Sequence, residues 1–177
     1  PSDSPFVRMA YRVVPGARES TCRRPLARAA PGVDYAATGI WGDFLLPRDP
    51  GSPVVLVAAG IGVTPFVSQL REAEARGDGR DVVPVYVAST PDELAYREEL
   101  AATGAKVIVF TREKPEGLPE RWMWADGVRL DAEHLRRVVP DLASRHAYIS
   151  GPPSLIADLA PALESARSLT TDAFSGY

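Results

Sequence analysis

The sequence predicts a doubly wound α/β domain with a parallel sheet, preceded by a short all-β segment. Three observations carry this reading. From residue 54 onward, short continuous apolar runs alternate with amphipathic stretches of helical period. The first apolar run passes through a glycine-rich turn directly into a helical pattern. Residues 1–50 instead carry β-like runs at 6–14 and 35–46, punctuated by Pro15-Gly16 and Pro31-Gly32. The composition changes at Arg48-Asp49-Pro50-Gly51-Ser52-Pro53, so the expected units are 1–50 and 51–177.

The elements follow in order. Strands are expected at 54–58, 82–88, 106–110 and 146–149, each a short apolar run of the kind a buried parallel sheet requires. Helices are expected at 66–76, 92–100 and 130–139, with a fourth along the stripe Leu155, Ile156, Leu159 and Leu163. Pro65 has a preset φ suited to a first helical turn. Pro161 lies inside the fourth stripe, where the missing amide and the ring clash predict a kink or break. The segment holding Trp122 and Trp124 reads as a loop whose aromatics pack.

Composition narrows the function classes. Among 177 residues, 45% are hydrophobic and 24% charged, which suits a folded globular chain. A net charge of -3 without blocks of like charge gives no footprint for nucleic acid or an anionic membrane. The longest apolar stretch, 54–63, is too short for a bilayer span, and no signal peptide is read at the start. One cysteine, Cys22, supports neither an internal disulfide nor an iron-sulfur cluster, so a reducing cytoplasmic setting is expected. His134 and His146 lack metal-ligand spacing.

The chemistry concentrates at predicted strand ends. The turn Gly60-Ile61-Gly62-Val63-Thr64-Pro65 lets backbone approach a ligand closely and aims a helix N-terminus at it. A bare G-x-G also occurs in plain strand-to-helix turns, and Pro65 stands where a third glycine would complete the usual dinucleotide fingerprint. In a doubly wound sheet, ligands bind beyond the carboxyl ends of the strands, where strand order reverses. With the four expected strands ordered 3-2-1-4, the 60–65 turn and Ser150-Gly151-Pro152-Pro153 flank one crevice, and Ser89-Thr90 and Thr111-Arg112-Glu113 lie on the same edge.

Five segments along the chain resemble the ferredoxin-NADP reductase superfamily. Ala58 to Pro65 resembles its G-x-G-x-T-P turn, and Tyr148-Ile149-Ser150-Gly151-Pro152-Pro153 its C-G-P-P motif with serine in place of cysteine. Ala29-Ala30-Pro31-Gly32 and Thr38-Gly39-Ile40-Trp41-Gly42-Asp43-Phe44 resemble L-x-P-G-D and G-P-F-G-x-F of the flavin-binding barrel, with Val33 for aspartate and Ile40 for proline. The ending Thr171-Asp172-Ala173-Phe174-Ser175-Gly176-Tyr177 is similar to T-D-Y-F-x-G-Y of some bacterial members. The family's R-x-Y-[ST] flavin motif has no counterpart in residues 1–20 and is expected just before Pro1.

The resemblance implies the end of an antiparallel FAD-binding barrel followed by an NAD(P)-binding domain. It implies electron flow from NAD(P)H through FAD to a separate one-electron acceptor, another protein or domain. Thr64 and Ser150 would orient the nicotinamide, with Gly60, Gly62, Pro65, Gly151 and Pro152 shaping its pocket. Thr21 would contact flavin phosphates, and Phe174, or alternatively Tyr177, would cover the flavin ring. Thr111 and Arg112 resemble the S-R-E segment that meets a 2'-phosphate. Together with Ser89 and Thr90, rather than an acid, at the end of the second strand, they favour NADPH. A flavin-free nucleotide sensor that kept the fold is the alternative.

Overall fold

The computed structural model describes residues 28–36 and 42–173. Its sheet is parallel throughout and comprises β1 (Val54–Ala59), β2 (Val82–Val87), β3 (Ile108–Phe110), β4 (Met123–Trp124), β5 (His146–Gly151) and β6 (Ser168–Ala173). The spatial order is β4-β3-β2-β1-β5-β6. The chain therefore moves outward from β1 through β4, then returns to β1's other side to add β5 and β6. That reversal puts the switch point between β1 and β5, as the 3-2-1-4 order of the four anticipated strands requires.

Alternation along β1 explains why the sheet is covered twice. Val54, Leu56 and Ala58 join Phe66, Leu70, Tyr86, Leu100 and Tyr148 in one buried cluster. Val55 and Val57 join Val85, Leu135, Ile149, Leu159 and Leu163 in the other. The first face is covered by α1 (Thr64–Ala75) and α2 (Arg97–Ala102), the second by α3 (Ala132–Val138) and α4 (Pro153–Leu163). A strand buried on both faces gains nothing from polar residues, hence the unbroken Val-Val-Leu-Val-Ala-Ala of β1.

Several elements depart from the sequence expectation. The expected helix at 92–100 is divided into a 3-10 turn, Pro91–Glu93, and α2, with Tyr96 left-handed (φ 55°) between them. The Glu93 carboxylate and the Ala95 carbonyl are engaged by groups outside any helix, which takes this stretch out of the helical ladder. Pro161 does not break α4, which continues to Leu163. The proline forgoes its own amide bond, but the helix continues past it, with Glu164 donating to the Ala160 carbonyl at 2.8 Å. Met123–Trp124 is a short strand on the outer edge of β3 rather than a loop. Residues Ser168–Ala173 add an unanticipated edge strand whose polar sequence hides it from a search for apolar runs.

Among described residues 28–36 and 42–50 there is no strand, so Tyr35, Ala36 and 42–46 of the expected β-run at 35–46 do not form one. The run at 6–14 lies outside the described residues. Residues 44–47 instead dock on the α/β unit. The Phe44 ring lies 5.5 Å from both Phe66 and Tyr148, edge-on to the latter. Gln69, Tyr148 and Arg80 donate to the carbonyls of Phe44, Leu45 and Pro47 at 2.6, 2.8 and 2.8 Å. No helix among the described residues is long and apolar enough to cross a membrane.

The amino ends of the strands are held by Arg145, only 5% exposed. Its guanidinium donates to Asp141 (2.9 Å), Asp81 (2.7 Å) and the Val54 carbonyl (3.2 Å), linking the starts of β1, β2 and β5. The hydrogen bond from Arg145 holds the Asp141 carboxyl below its ordinary 3.8. Arg145→Ala removes the guanidinium that joins Asp141, Asp81 and the Val54 carbonyl and is expected to lower stability by about 1–3 kcal/mol, measured by urea unfolding at neutral pH. Asp141's contribution is complete above its ordinary value and is lost as pH falls through the lowered one, so the variant's stability should fall less than the parent's on acidification below pH 4.

Candidate functional site

At the carboxyl end of the sheet, β1 enters a 3-10 turn, Gly60–Val63, and α1 starts at the next residue. Two glycines make this path possible for different reasons. Gly60 has φ +52°, which L side chains adopt at a cost, and the space where its Cβ would sit is open. Gly62 is closed in: a Cβ there would overlap the Ser150 carbonyl oxygen and lie 2.6 Å from its carbon. The turn after β1 is thus in backbone contact with the end of β5. From the other side, a Cβ on Gly151 would lie 3.0 Å from that of Ala59. Pro65 occupies the first turn of α1, as expected, and Pro152 caps α4 while exposed to solvent.

Register defines a row of side chains under the turn. Ala58 of β1 is level with Ser150 of β5 and Tyr86 of β2, and Ser150 with Asp172 of β6. Level residues on parallel strands share a face, here the α1 face that holds Ala58, Tyr86 and Tyr148. Ser150 is fully buried, and its hydroxyl has no hydrogen-bond partner among the described residues. It does not bond its own backbone, the ordinary fate of a strand-end serine. An unsatisfied buried hydroxyl costs about 1–3 kcal/mol, so its placement leaves a donor for a partner beyond the described residues. Thr64, half-buried, donates to the Ile61 carbonyl at 3.0 Å, which fixes the turn and leaves its oxygen free to act only as an acceptor.

The ends of β2 and β3 carry the remaining predicted residues. Ser89 is exposed, and its amide donates to the Glu93 carboxylate at 3.1 Å. An acid therefore does stand at the end of the second strand, contrary to the sequence reading. It lies four residues further along and is folded back by the 3-10 turn. Thr111 is buried and donates to the Glu113 carbonyl at 2.7 Å, while Trp124 donates from its indole to the Thr111 carbonyl at 3.1 Å. Trp124 thus braces the turn that presents Arg112, which is exposed and has no ion pair among the described residues. Thr21, Phe174 and Tyr177 lie outside the described residues.

The histidines have local partners: His134 with Asp131, the N-cap of α3, and His146 with Ser168. No group of three potential metal ligands occurs among the described residues.

Comparison with known proteins agrees with this geometry. The model of the family described as oxidoreductase NAD-binding domain matches residues 56–160, more than half the chain. The chain belongs to that family. Its fold is shared with a ferredoxin-NADP+ reductase of Plasmodium falciparum, at a TM-score of 0.54 and 17% identity over 77% of this chain and 59% of that one. Similar curated proteins include an NADPH oxidoreductase of Mycobacterium tuberculosis, 33% identical over 74% of this chain and 33% of that protein. The ferredoxin-NAD(+) reductase component of an alkene monooxygenase system of Xanthobacter autotrophicus is 31% identical over 75% of this chain and 40% of that protein. The chain thus spans about a third to two-fifths of these relatives. Among solved structures, a flavohemoglobin of Malassezia yamatoensis with bound FAD and heme superposes with a TM-score of 0.67 at 22% identity, covering 93% of this chain and 43% of that one.

In this NAD-binding domain, motif reading locates the β1 turn and the end of β5 but misses two residues between them. Glu93 is hidden by its distance from the strand, although Pro91-Asp92-Glu93 after Ser89-Thr90 is a turn signal that could have found it. Tyr86 is hidden inside an apolar run. Its hydroxyl was the available clue, since a buried tyrosine needs a partner. Gly62→Ala is expected to destabilise by about 2–3 kcal/mol through overpacking against backbone, and Gly60→Ala by about 1 kcal/mol through φ alone. Chemical denaturation of the two variants distinguishes these magnitudes, and equal losses would contradict the close approach at Gly62.

Proposed function

We propose that this chain is the coenzyme-binding part of a flavin-dependent oxidoreductase that moves electrons from NAD(P)H through FAD to a separate one-electron acceptor. The observation that carries this reading is the unpartnered, fully buried Ser150 hydroxyl beside the backbone contact between the β1 turn and β5. A carboxamide presents both an acceptor and donors. Ser150 supplies the donor, and Thr64, whose proton is committed to Ile61, supplies the acceptor. The open side of Gly60 gives the coenzyme room against the backbone.

FAD would supply the chemistry of taking a hydride and releasing electrons singly. The chain's own contribution is positional: Gly60, Gly62, Gly151 and Pro152 shape the wall, Ser150 and Thr64 orient the carboxamide, and the buried surroundings keep water out. No acid or base is required of the protein. Thr21 and Phe174, with Tyr177 the alternative cover, remain our candidates for the flavin side. Relatives that are reductase components of propane 2-monooxygenase and alkene monooxygenase systems support an acceptor that is a partner protein or domain.

For the coenzyme we favour NADPH, because Arg112 is exposed and unpaired among the described residues whereas Glu93 is engaged by the Ser89 amide. Arg112→Ala should weaken NADPH binding at least tenfold and leave NADH binding within about twofold. Glu93→Gln should shift preference further toward NADPH. Equal effects on both coenzymes would remove the preference.

The full-length protein should purify yellow, bleach on addition of NADPH and reduce ferricyanide. A colourless protein that binds nucleotide but no added FAD would instead support the flavin-free sensor. Ser150→Ala should cut ferricyanide reduction at least tenfold while stability stays level or rises by about 1 kcal/mol, as expected where a buried unsatisfied group is removed. A melting curve alongside turnover separates the two effects.

A further inference from the structure

Tyr86 is the largest fully buried side chain among the described residues, and it takes no part in holding the carboxamide. It lies at the level of Ala58, one strand over, and its hydroxyl is 3.1 Å from the Gly60 carbonyl and 3.3 Å from that of Ala95. The first carbonyl opens the glycine turn after β1. The second belongs to the loop after β2, between the Pro91–Glu93 turn and α2. This is the loop that folds Glu93 back onto the Ser89 amide and contains left-handed Tyr96. The Gly60 carbonyl opens the 3-10 turn, the Ala95 carbonyl lies outside any helix or strand, and the two loops have separate origins in the chain. One phenolic proton is therefore shared between the two loops.

We propose that Tyr86 is a positioning residue that ties the glycine turn to the loop after β2, setting the separation between the nicotinamide and adenosine ends of the coenzyme site. This rests on the reading of these loops as that site. Each loop reaches the sheet through its own strand and rests on the shared apolar core through Val63 and Leu94, and the phenolic proton adds a directional link between them. A dinucleotide spans both loops and needs them correctly placed together, whereas either half of it meets only one. Burial raises the phenol above its ordinary value, so the hydroxyl remains a donor throughout the range in which the protein works. Phenylalanine at this position keeps the ring that fills the core and removes only the tie.

The test compares whole coenzyme with its halves on the full-length protein. In Tyr86→Phe, affinity for NADPH, or for NADH if that proves the coenzyme, should fall about tenfold. Affinities for reduced nicotinamide mononucleotide and for adenosine 5'-monophosphate should stay within about twofold. Turnover at saturating coenzyme should change less than KM. Unchanged coenzyme affinity, or equal losses for coenzyme and halves, overturns the tie. If wild-type protein binds no dinucleotide, the functional reading fails instead.

A measurement on the unaltered protein keeps the proposal testable should the variant not fold. Adenosine 5'-monophosphate should slow amide hydrogen exchange in the 60–63 turn as well as at 89–95. Slowing confined to 89–95 would overturn it.

Discussion

The contact of Gly62 with the Ser150–Gly151 peptide is the constraint from which the rest of the site follows. Two backbones meet there with no side chain between them, so the β1 turn and the end of β5 cannot separate or slide without opening a gap in a close-packed interior. Given that contact, the row Ser150, Ala58, Tyr86 is fixed by strand register, and the orphan hydroxyl lands beneath the turn. A larger residue at position 62 would not merely crowd a pocket. It would change the distance between the two strands at the switch point.

The opposite end of the sheet shows a different solution to the same problem of holding strands together. There a buried cation does the joining, with Arg145 satisfied by two carboxylates and a backbone carbonyl. Every Arg145 nitrogen has an acceptor, so this end serves stability. The carboxyl end is left incomplete, with a buried hydroxyl lacking a partner. Buried atoms without partners also occur near the amino ends, at Asp78 Oδ1 and Arg80 Nε, and what sets Ser150 apart is its place beside the glycine contact.

The sequence shows the parts of this arrangement that depend on local pattern. The run at β1, the glycines after it and Ser150 before Gly151-Pro152 can be read because each element is encoded by neighbours in the chain. Tyr86 cannot be read that way, because its partners depend on which loops the fold brings together, 26 residues apart in the case of Gly60. β6 escapes for a third reason. An edge strand with the sequence Ser-Leu-Thr-Thr-Asp-Ala is specified by the open side of β5 more than by its own hydrophobicity. The helix expected at 92–100 fails because tertiary hydrogen bonds outbid local propensity.

The docking of residues 44–47 separates the division seen in composition from the division seen in packing. Composition changes at about residue 50, yet the Phe44 ring lies against Phe66 and Tyr148, and three side chains of the α/β unit donate to carbonyls upstream of that change. A chain severed at Gly51 would uncover two aromatic faces and remove an acceptor from each of Gln69, Tyr148 and Arg80. The short segment before the linker thus serves as a lid stitched onto the sheet's helical layer, and any excised version of the domain that is to remain soluble has to carry it along.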